Sequence, residues 1–260
     1  MITIAHRAFV LLAACFIAAP IFVVVVTSFG RSAMLEFPPS ALSLQWYGRA
    51  LGRAEFQSAA FNSLWIATVT TLIATPIAIA AALAIVRGKF PGRDAIQVFL
   101  MAPLVVPSIV TGLAILIFAA AIGVRVVEER LVAAHILITF PYLVRTIVAS
   151  LSRVDPLAEE AARTLGANAF RAFWHVTLPA LFPGLVAGMT FAFIVSFDNV
   201  SISLFLASAR TTTLPLSILS YVETNLDPSV AAVSTLLVAL SLITALVLER
   251  MVGLRKALGN

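Results

Sequence analysis

Residues 152–179 read SRVDPLAEEAARTLGANAFRAFWHVTLP, the chain's longest stretch of mixed charge, with apolar runs on both sides. Asp155-Pro156 is typical of a helix start, since Asp caps a helix and proline fits its first position. Gly166 is typical of a helix end, because glycine readily adopts positive φ. Asn168 can cap a second helix that ends before Leu178-Pro179. We therefore predict a helix–turn–helix lying on a membrane surface.

The composition outside this stretch is that of a membrane protein. The 260 residues are 61% hydrophobic and 11% charged, with mean hydropathy +1.06, and a spanning helix needs about 20 apolar residues. The net charge of +5 does not indicate a nucleic-acid partner, since no basic cluster is interleaved with aromatic residues. We predict an all-α integral membrane protein with six transmembrane helices, at about 8–29, 62–86, 96–121, 131–150, 180–205 and 231–248.

The distribution of positive charge predicts the orientation. With the N-terminus inside, eleven of the 17 Lys and Arg residues lie on the cytoplasmic side, as the positive-inside rule requires. Both termini and residues 152–179 are then cytoplasmic. The first apolar run is too long for the core of a cleaved signal peptide, so we expect a retained helix.

Local signals add detail to the spans. Asn62 and Asp227-Pro228 are interpreted as helix starts, and Pro103 and Pro107 should kink the third span. Trp46-Tyr47 is expected at the membrane interface. The alternative interpretation of residues 152–179 is a plain amphipathic surface helix with an internal Glu159–Arg163 pair, which would contribute about 0.3–0.5 kcal/mol.

The pattern E-A-A-x3-G-x9-V-x-L-P in the first stretch resembles the signature of inner-membrane permease subunits of binding-protein-dependent (type I) ABC importers. The family usually has Ile where this chain has Val176. The resemblance implies that the segment docks onto a cytoplasmic ATPase. The residues to which that role carries over are Glu160, Ala161, Ala162, Gly166, Leu178 and Pro179.

Further motifs, spread over nearly the whole chain, resemble spermidine/putrescine-type permeases. They are LQWY at 44–47, NSLWIA at 62–67, APLVVP at 102–107, SFDNV at 196–200 and TLPL at 213–216 followed by Asp227-Pro228. The resemblance implies a single permease domain over 1–260, paired with a second permease subunit, an ATPase dimer and a periplasmic binding protein. It implies a polyamine as solute; another small amine-bearing or organic solute is the alternative.

Asp198 is the only acid well inside an apolar run, with Ser196, Asn199 and Ser201 beside it. An Asp at mid-membrane costs about 2.5–3.5 kcal/mol and usually faces a cavity or a partner. These residues are therefore candidates for the solute pathway, where a carboxylate would attract a cation. The alternative is that Asp198 caps a broken helix or pairs with an arginine of the second permease subunit.

Other function classes fit the sequence less well. The chain has no G-x4-G-K-[ST] phosphate loop, so ATP and Mg²⁺ are expected on the partner ATPase and no cofactor on this chain. His135 and His175 are expected to be structural rather than metal ligands, and Cys15 has no partner. A secondary transporter would leave the Glu160 pattern unexplained, and an intramembrane enzyme would need at least two convergent catalytic residues at membrane depth, where only Asp198 qualifies. A membrane scaffold without transport is the third rival.

Overall fold

The computed structural model describes residues 4–225 and 227–258, and the regular structure in them is helical. Within these two ranges, twelve α-helices follow one another, with one 3₁₀ turn and one π-helical turn between them. They are α1 Ile4–Ser28, α2 Gln45–Gly52, α3 Ala54–Arg87, α4 Arg93–Met101, the 3₁₀ turn Ala102–Leu104, α5 Ser108–Ala121, α6 Val127–Leu151, α7 Pro156–Thr164, α8 Ala169–Ala172, the π turn Phe173–Thr177, α9 Leu178–Phe197, α10 Val200–Leu206, α11 Leu214–Thr224 and α12 Ser229–Leu258.

Four of the described helical stretches are long and apolar enough to cross a membrane: His6–Ser28, Ala54–Arg87, Val127–Leu151 and Ala169–Phe197. A fifth span exists if Arg93–Leu104 and Ser108–Ala121, which meet at 100°, are taken as one. The sixth predicted span falls within α12, whose described apolar part is Ser229–Ile243. The prediction of a multi-span helical protein is confirmed, and the number six remains a prediction.

Two predicted spans are interrupted. The third bends sharply where Pro103 and Pro107 were expected to kink it, and Pro107 itself is extended, with φ −56° and ψ 132°. Because proline has no N–H and disfavours helix in the residue before it, the two prolines favour a break in the helix at this point. The fifth predicted span, 180–205, consists of α9 and α10, separated at Asp198 and Asn199.

Two local predictions were wrong. Asn62 does not start a helix, because α3 already begins at Ala54; the Asn62 amide instead donates to the carbonyl of Thr212 at 3.1 Å. Trp46 is only 2% exposed, so its ring packs within the protein and does not lie at a lipid interface.

The described residues form two compact units, the first made of 4–58 with 217–243, the second of 59–216 with 244–258. In the first unit, Tyr221 packs edge-on against Phe56 and donates its hydroxyl to Asp227 at 2.6 Å. Asp227 also accepts the Ser229 N–H at 2.9 Å. It therefore caps α12 as the sequence predicted.

The core of the second unit depends on small residues. Ala74, Ala78 and Ala82 recur every four positions on α3, are completely buried and lie in one cluster with Leu143 of α6 and Ala192 of α9. Gly184 and Gly188 give α9 a similar stripe against α6. Such stripes let helix backbones approach closely, which is how helices associate where lipid removes the hydrophobic drive.

Candidate functional site

The first helix of the 152–179 segment has the ends that the sequence predicted. The Asp155 carboxylate accepts the N–H of Leu157 at 2.9 Å, and Pro156 is the first residue of α7. Gly166 follows the end of the helix with φ +94°. That angle lies in the left-handed region, which side chains with a Cβ rarely adopt, so the turn after α7 requires glycine.

The second helix differs from the prediction. Asn168 caps α8 by accepting the N–H of Arg171 at 2.8 Å, as expected. The helix does not end before Leu178-Pro179, however, because it widens into a π turn in which the Leu178 N–H donates to the Phe173 carbonyl, five residues back. Pro179 lacks an N–H, and the wider turn lets the chain pass through it into α9. The segment is therefore continuous with a long apolar helix.

The outer side of the segment is uncovered. Glu160 and Ala161 are exposed and Ala162 is half-buried. Leu157 is 65% and Leu165 89% exposed. Large apolar side chains left so open on a short polar helix are typical of a surface that contacts another protein.

Two aromatic residues extend this surface onto the second helix. Phe170 and Trp174 stack on each other with ring centroids 6.0 Å apart, and both are exposed. We call residues 152–179 the coupling segment, after the role that the resemblance implies. Its outer face consists of Leu157, Glu160, Ala161, Leu165, Phe170 and Trp174.

The neighbouring carboxylate, Glu159, faces the protein and not the exposed side of α7. It accepts hydrogen bonds from Arg87, the last residue of α3, and from Thr177 at 2.7 Å. The partners of Glu159 are therefore Arg87 and Thr177 and not Arg163, as the alternative interpretation had it, although the charge of Arg163 still contributes. Partial burial raises the pKa of Glu159, but the bonds from Thr177 and Arg87 and the two positive charges outweigh it and leave the pKa below its usual value.

The break in the fifth predicted span is built by Asn199. Its side-chain oxygen accepts the N–H of Ile202 at 2.9 Å and so starts α10. Asp198 directly follows α9 and is exposed in this chain, and Ser201 is half-buried. The residue that caps the broken helix is thus Asn199, and the Asp198 carboxylate is left open to a solute or to another subunit.

Ser196 lies on the other side of the break, in the interior. Its hydroxyl is 2.8 Å from Nδ1 of the fully buried His135, whose Nε2 is 3.5 Å from the hydroxyl of Ser203 on α10. This polar bridge joins α9 and α10 to α6. No group of three or more metal-ligating side chains is found in the described part of the chain.

A cavity of about 250 Å³ lies between α3 and α9. Threonine side chains of both helices line the cavity, together with apolar side chains. Its lining residues are Thr68, Thr71, Leu72, Met189, Thr190 and Phe193. This cavity could not be predicted from the sequence, because single threonines within apolar helices are common.

Residues 74–254 match the family described as "Binding-protein-dependent transport system inner membrane component". The match includes both the coupling segment and the break at Asp198. The chain belongs to this family and is an inner-membrane permease component of ABC importers.

Curated relatives match over most of the chain. The putrescine transport system permease protein PotI of Escherichia coli K12 is 33% identical over 87% of this chain and 83% of its own length. The spermidine/putrescine permease protein PotC of Haemophilus influenzae is 30% identical, over 91% of this chain and 92% of its own. The molybdenum transport system permease protein ModB of Escherichia coli K12 is 32% identical over 72% of this chain and 89% of its own.

Solved structures share the fold. A bacterial ABC transporter involved in the import of the acidic polysaccharide alginate aligns with a TM-score of 0.72 and 17% identity, over 96% of this chain and 98% of that one. The alginate transporter in complex with an alginate-pentasaccharide-bound periplasmic protein aligns with a TM-score of 0.72 and 14% identity, over 94% and 91%. At these identities the likeness concerns the type I permease fold alone.

Proposed function

We propose that this chain forms half of the pore of an ATP-driven importer, with a second permease subunit as the other half. A periplasmic binding protein delivers the solute, and a cytoplasmic ATPase dimer holds ATP and Mg²⁺ and carries out hydrolysis. The chain itself hydrolyses nothing. In this arrangement it has six spans, a single permease domain and both termini in the cytoplasm.

This proposal rests on the exposure of the outer face of the coupling segment. Glu160 offers a carboxylate to a basic partner, while Ala161 and Ala162 let a second surface approach the backbone closely. The exposed Leu165 and the stacked Phe170 and Trp174 supply the apolar contact area. Leu178-Pro179 connects this face to α9, so a displacement of the segment moves a membrane helix.

A polyamine is the solute that the relatives favour, because PotI and PotC are permeases of putrescine and spermidine/putrescine systems. The open carboxylate of Asp198 agrees, since it would attract a cation. Asn199 and Ser201 lie beside it in the proposed pathway, whereas the predicted pathway residue Ser196 is buried against His135 and supports the break from the interior. Another small amine-bearing or organic solute is the alternative, and the relation to ModB, a permease of a molybdenum transport system, makes a molybdenum compound a necessary competitor in the assay.

The test uses proteoliposomes that contain the complete transporter with its loaded binding protein, and measures uptake of labelled putrescine together with ATP hydrolysis. Glu160→Lys and Gly166→Leu should each abolish transport-coupled hydrolysis. Glu55→Lys, the same charge reversal at an exposed position outside the segment, should leave it unchanged. Normal coupling in both segment variants, or uptake without any ATPase, as a secondary transporter would show, would refute the proposal.

A further inference from the structure

Three separate helical elements meet at one polar contact that the family pattern does not include. Arg87 ends α3, Glu159 lies in α7 and Thr177 ends the π turn before α9. One Glu159 oxygen accepts from Nη1 of Arg87 and from the Thr177 hydroxyl at 2.7 Å. Nη2 of Arg87 reaches the same hydroxyl at 3.4 Å. We call this contact the Arg87 anchor.

The anchor is shielded from water to a degree unusual for a surface ion pair. Thr177 is completely buried, and the side chains of Arg87 and Glu159 are 29% and 19% exposed. The pair Arg93–Asp94, by contrast, is 46% and 89% exposed and joins adjacent residues. Charge-assisted bonds that are partly shielded hold their geometry better than solvated pairs, so the anchor fixes α7 to both membrane helices.

Those two helices border the threonine-lined cavity. Thr71 lies 16 residues before Arg87 on α3, and Thr190 lies 13 residues after Thr177 on α9. At 1.5 Å per residue the cavity is about 20–24 Å along the helices from the anchor. A displacement of α7 therefore acts on the ends of two helices whose other parts line one cavity.

We propose that the Arg87 anchor is a second mechanical connection between the coupling segment and the membrane helices, besides Leu178-Pro179. Through it α3 moves together with α9, and the width of the cavity between them changes. Arg87 and Glu159 are then positioning residues for transport, and neither contacts the ATPase or the solute. In this proposal Glu160 contacts the ATPase on the exposed side of α7. Glu159, which faces the protein, connects the resulting movement of α7 to α3 and α9. This inference rests on the proposed function.

The experiment reverses the charges singly and together. Arg87→Glu and Glu159→Arg should each leave ATPase binding and ATP hydrolysis in place while uptake falls. The ATP consumed per solute should rise by about 5- to 150-fold, the range typical of coupling between sites. The double variant restores the opposite charges and should recover most of the uptake, since Glu at position 87 could still accept from Thr177.

Two controls make the result specific. The same reversal and swap at Arg93 and Asp94, whose pair is solvated, should change nothing. If a single reversal lowers the yield of assembled complex, Glu159→Gln gives the same measurement, because it keeps an acceptor for Thr177 and loses only the charge.

An unchanged ratio of ATP to solute in the single variants, or no recovery in the double variant, would overturn the inference. Failure of the proposed function is distinguishable. In that case Glu160→Lys would also have no effect on coupling, whereas failure of the anchor alone leaves Glu160→Lys uncoupled and Glu159→Arg normal.

Discussion

Adding one methyl group at Gly184 or Gly188 should separate α6 from α9, and the two sites should differ in a way the structure specifies. A Cβ at Gly184 would lie 2.4 Å from Cβ of Ser150, an atom that no side-chain rotation can move. A Cβ at Gly188 would lie 2.4 Å from Oγ1 of Thr146 but 3.4 Å from its Cβ. Rotation of the threonine can relieve the second clash, and only movement of a helix can relieve the first.

The magnitudes follow from two opposing effects. Overpacking typically costs about 1–3 kcal/mol, while replacing glycine by alanine within a helix gains about 0.5–1 kcal/mol. The clash at Gly184 belongs at the upper end of the overpacking range. After the gain from replacing glycine is subtracted, Gly184→Ala should lower the free energy of unfolding by about 2 kcal/mol. Gly188→Ala should lower it by about 1 kcal/mol, because Oγ1 of Thr146 must give up its hydrogen bond to the Tyr142 carbonyl, 2.9 Å away. The double variant should cost less than the sum, since one displacement admits both methyl groups.

The assay is SDS-induced unfolding of the full chain in detergent micelles, followed by tryptophan fluorescence. Gly48→Ala is the matched control, because it lies within α2 with nothing inside 4 Å of the added Cβ; it should be neutral or slightly stabilising. Thr146→Ala should rescue Gly188→Ala by removing the clashing oxygen. Ser150→Ala should not rescue Gly184→Ala, because the clashing Cβ remains, whereas Ser150→Gly should. Equal losses at both glycines, or rescue of Gly184→Ala by Ser150→Ala, would refute the reasoning.

Three further outcomes are expected. Asp198→Asn should reduce putrescine uptake and its preference over neutral solutes, measured by competition in proteoliposomes, with little change in unfolding; unchanged uptake and preference would remove Asp198 from the pathway. Asn199→Ala should cost about 1 kcal/mol in the unfolding assay, as loss of a helix cap does, and Asn199→Asp should cost much less. The pKa of Glu159 lies below that of an ordinary glutamate, so its stabilisation is complete above the ordinary pKa and is lost as pH falls through the lowered one. The stability difference between wild type and Glu159→Gln should therefore be constant from about pH 8 to 6 and shrink only on strong acidification.

Features encoded by neighbouring residues could be predicted from the sequence. The caps at Asp155 and Asn168 and the positive φ of Gly166 each depend on a few consecutive residues, and the structure has all three. The kink at Pro103 and Pro107 is of the same kind. A broken helix in the run 180–205 was one of the alternatives for Asp198, and the structure has the break, but its cap is Asn199 and not Asp198.

Contacts between distant helices could not be predicted in this way. Gly184 and Gly188 look unremarkable until α6 lies against α9, and Ser196 looked like a pathway residue because the buried His135 is 61 positions away in the chain. A serine beside an intramembrane aspartate can face either the path or the interior. The side it faces is set by a helix that the local pattern does not contain.

Because contacts between distant helices cannot be read from a local pattern, the pattern at Glu160 describes only one side of the coupling segment. Successive residues of an α-helix are about 100° apart around its axis, so Glu159 and Glu160 must face different directions, and either could have been the exposed one. Glu159 faces the protein because its partner Arg87, 72 positions earlier, ends α3 beside α7. The linear signature includes the exposed side of α7, at Glu160 and Ala161. The side that connects the segment to its own membrane helices depends on how those helices pack, and there a charge reversal and its compensating swap can test the connection directly.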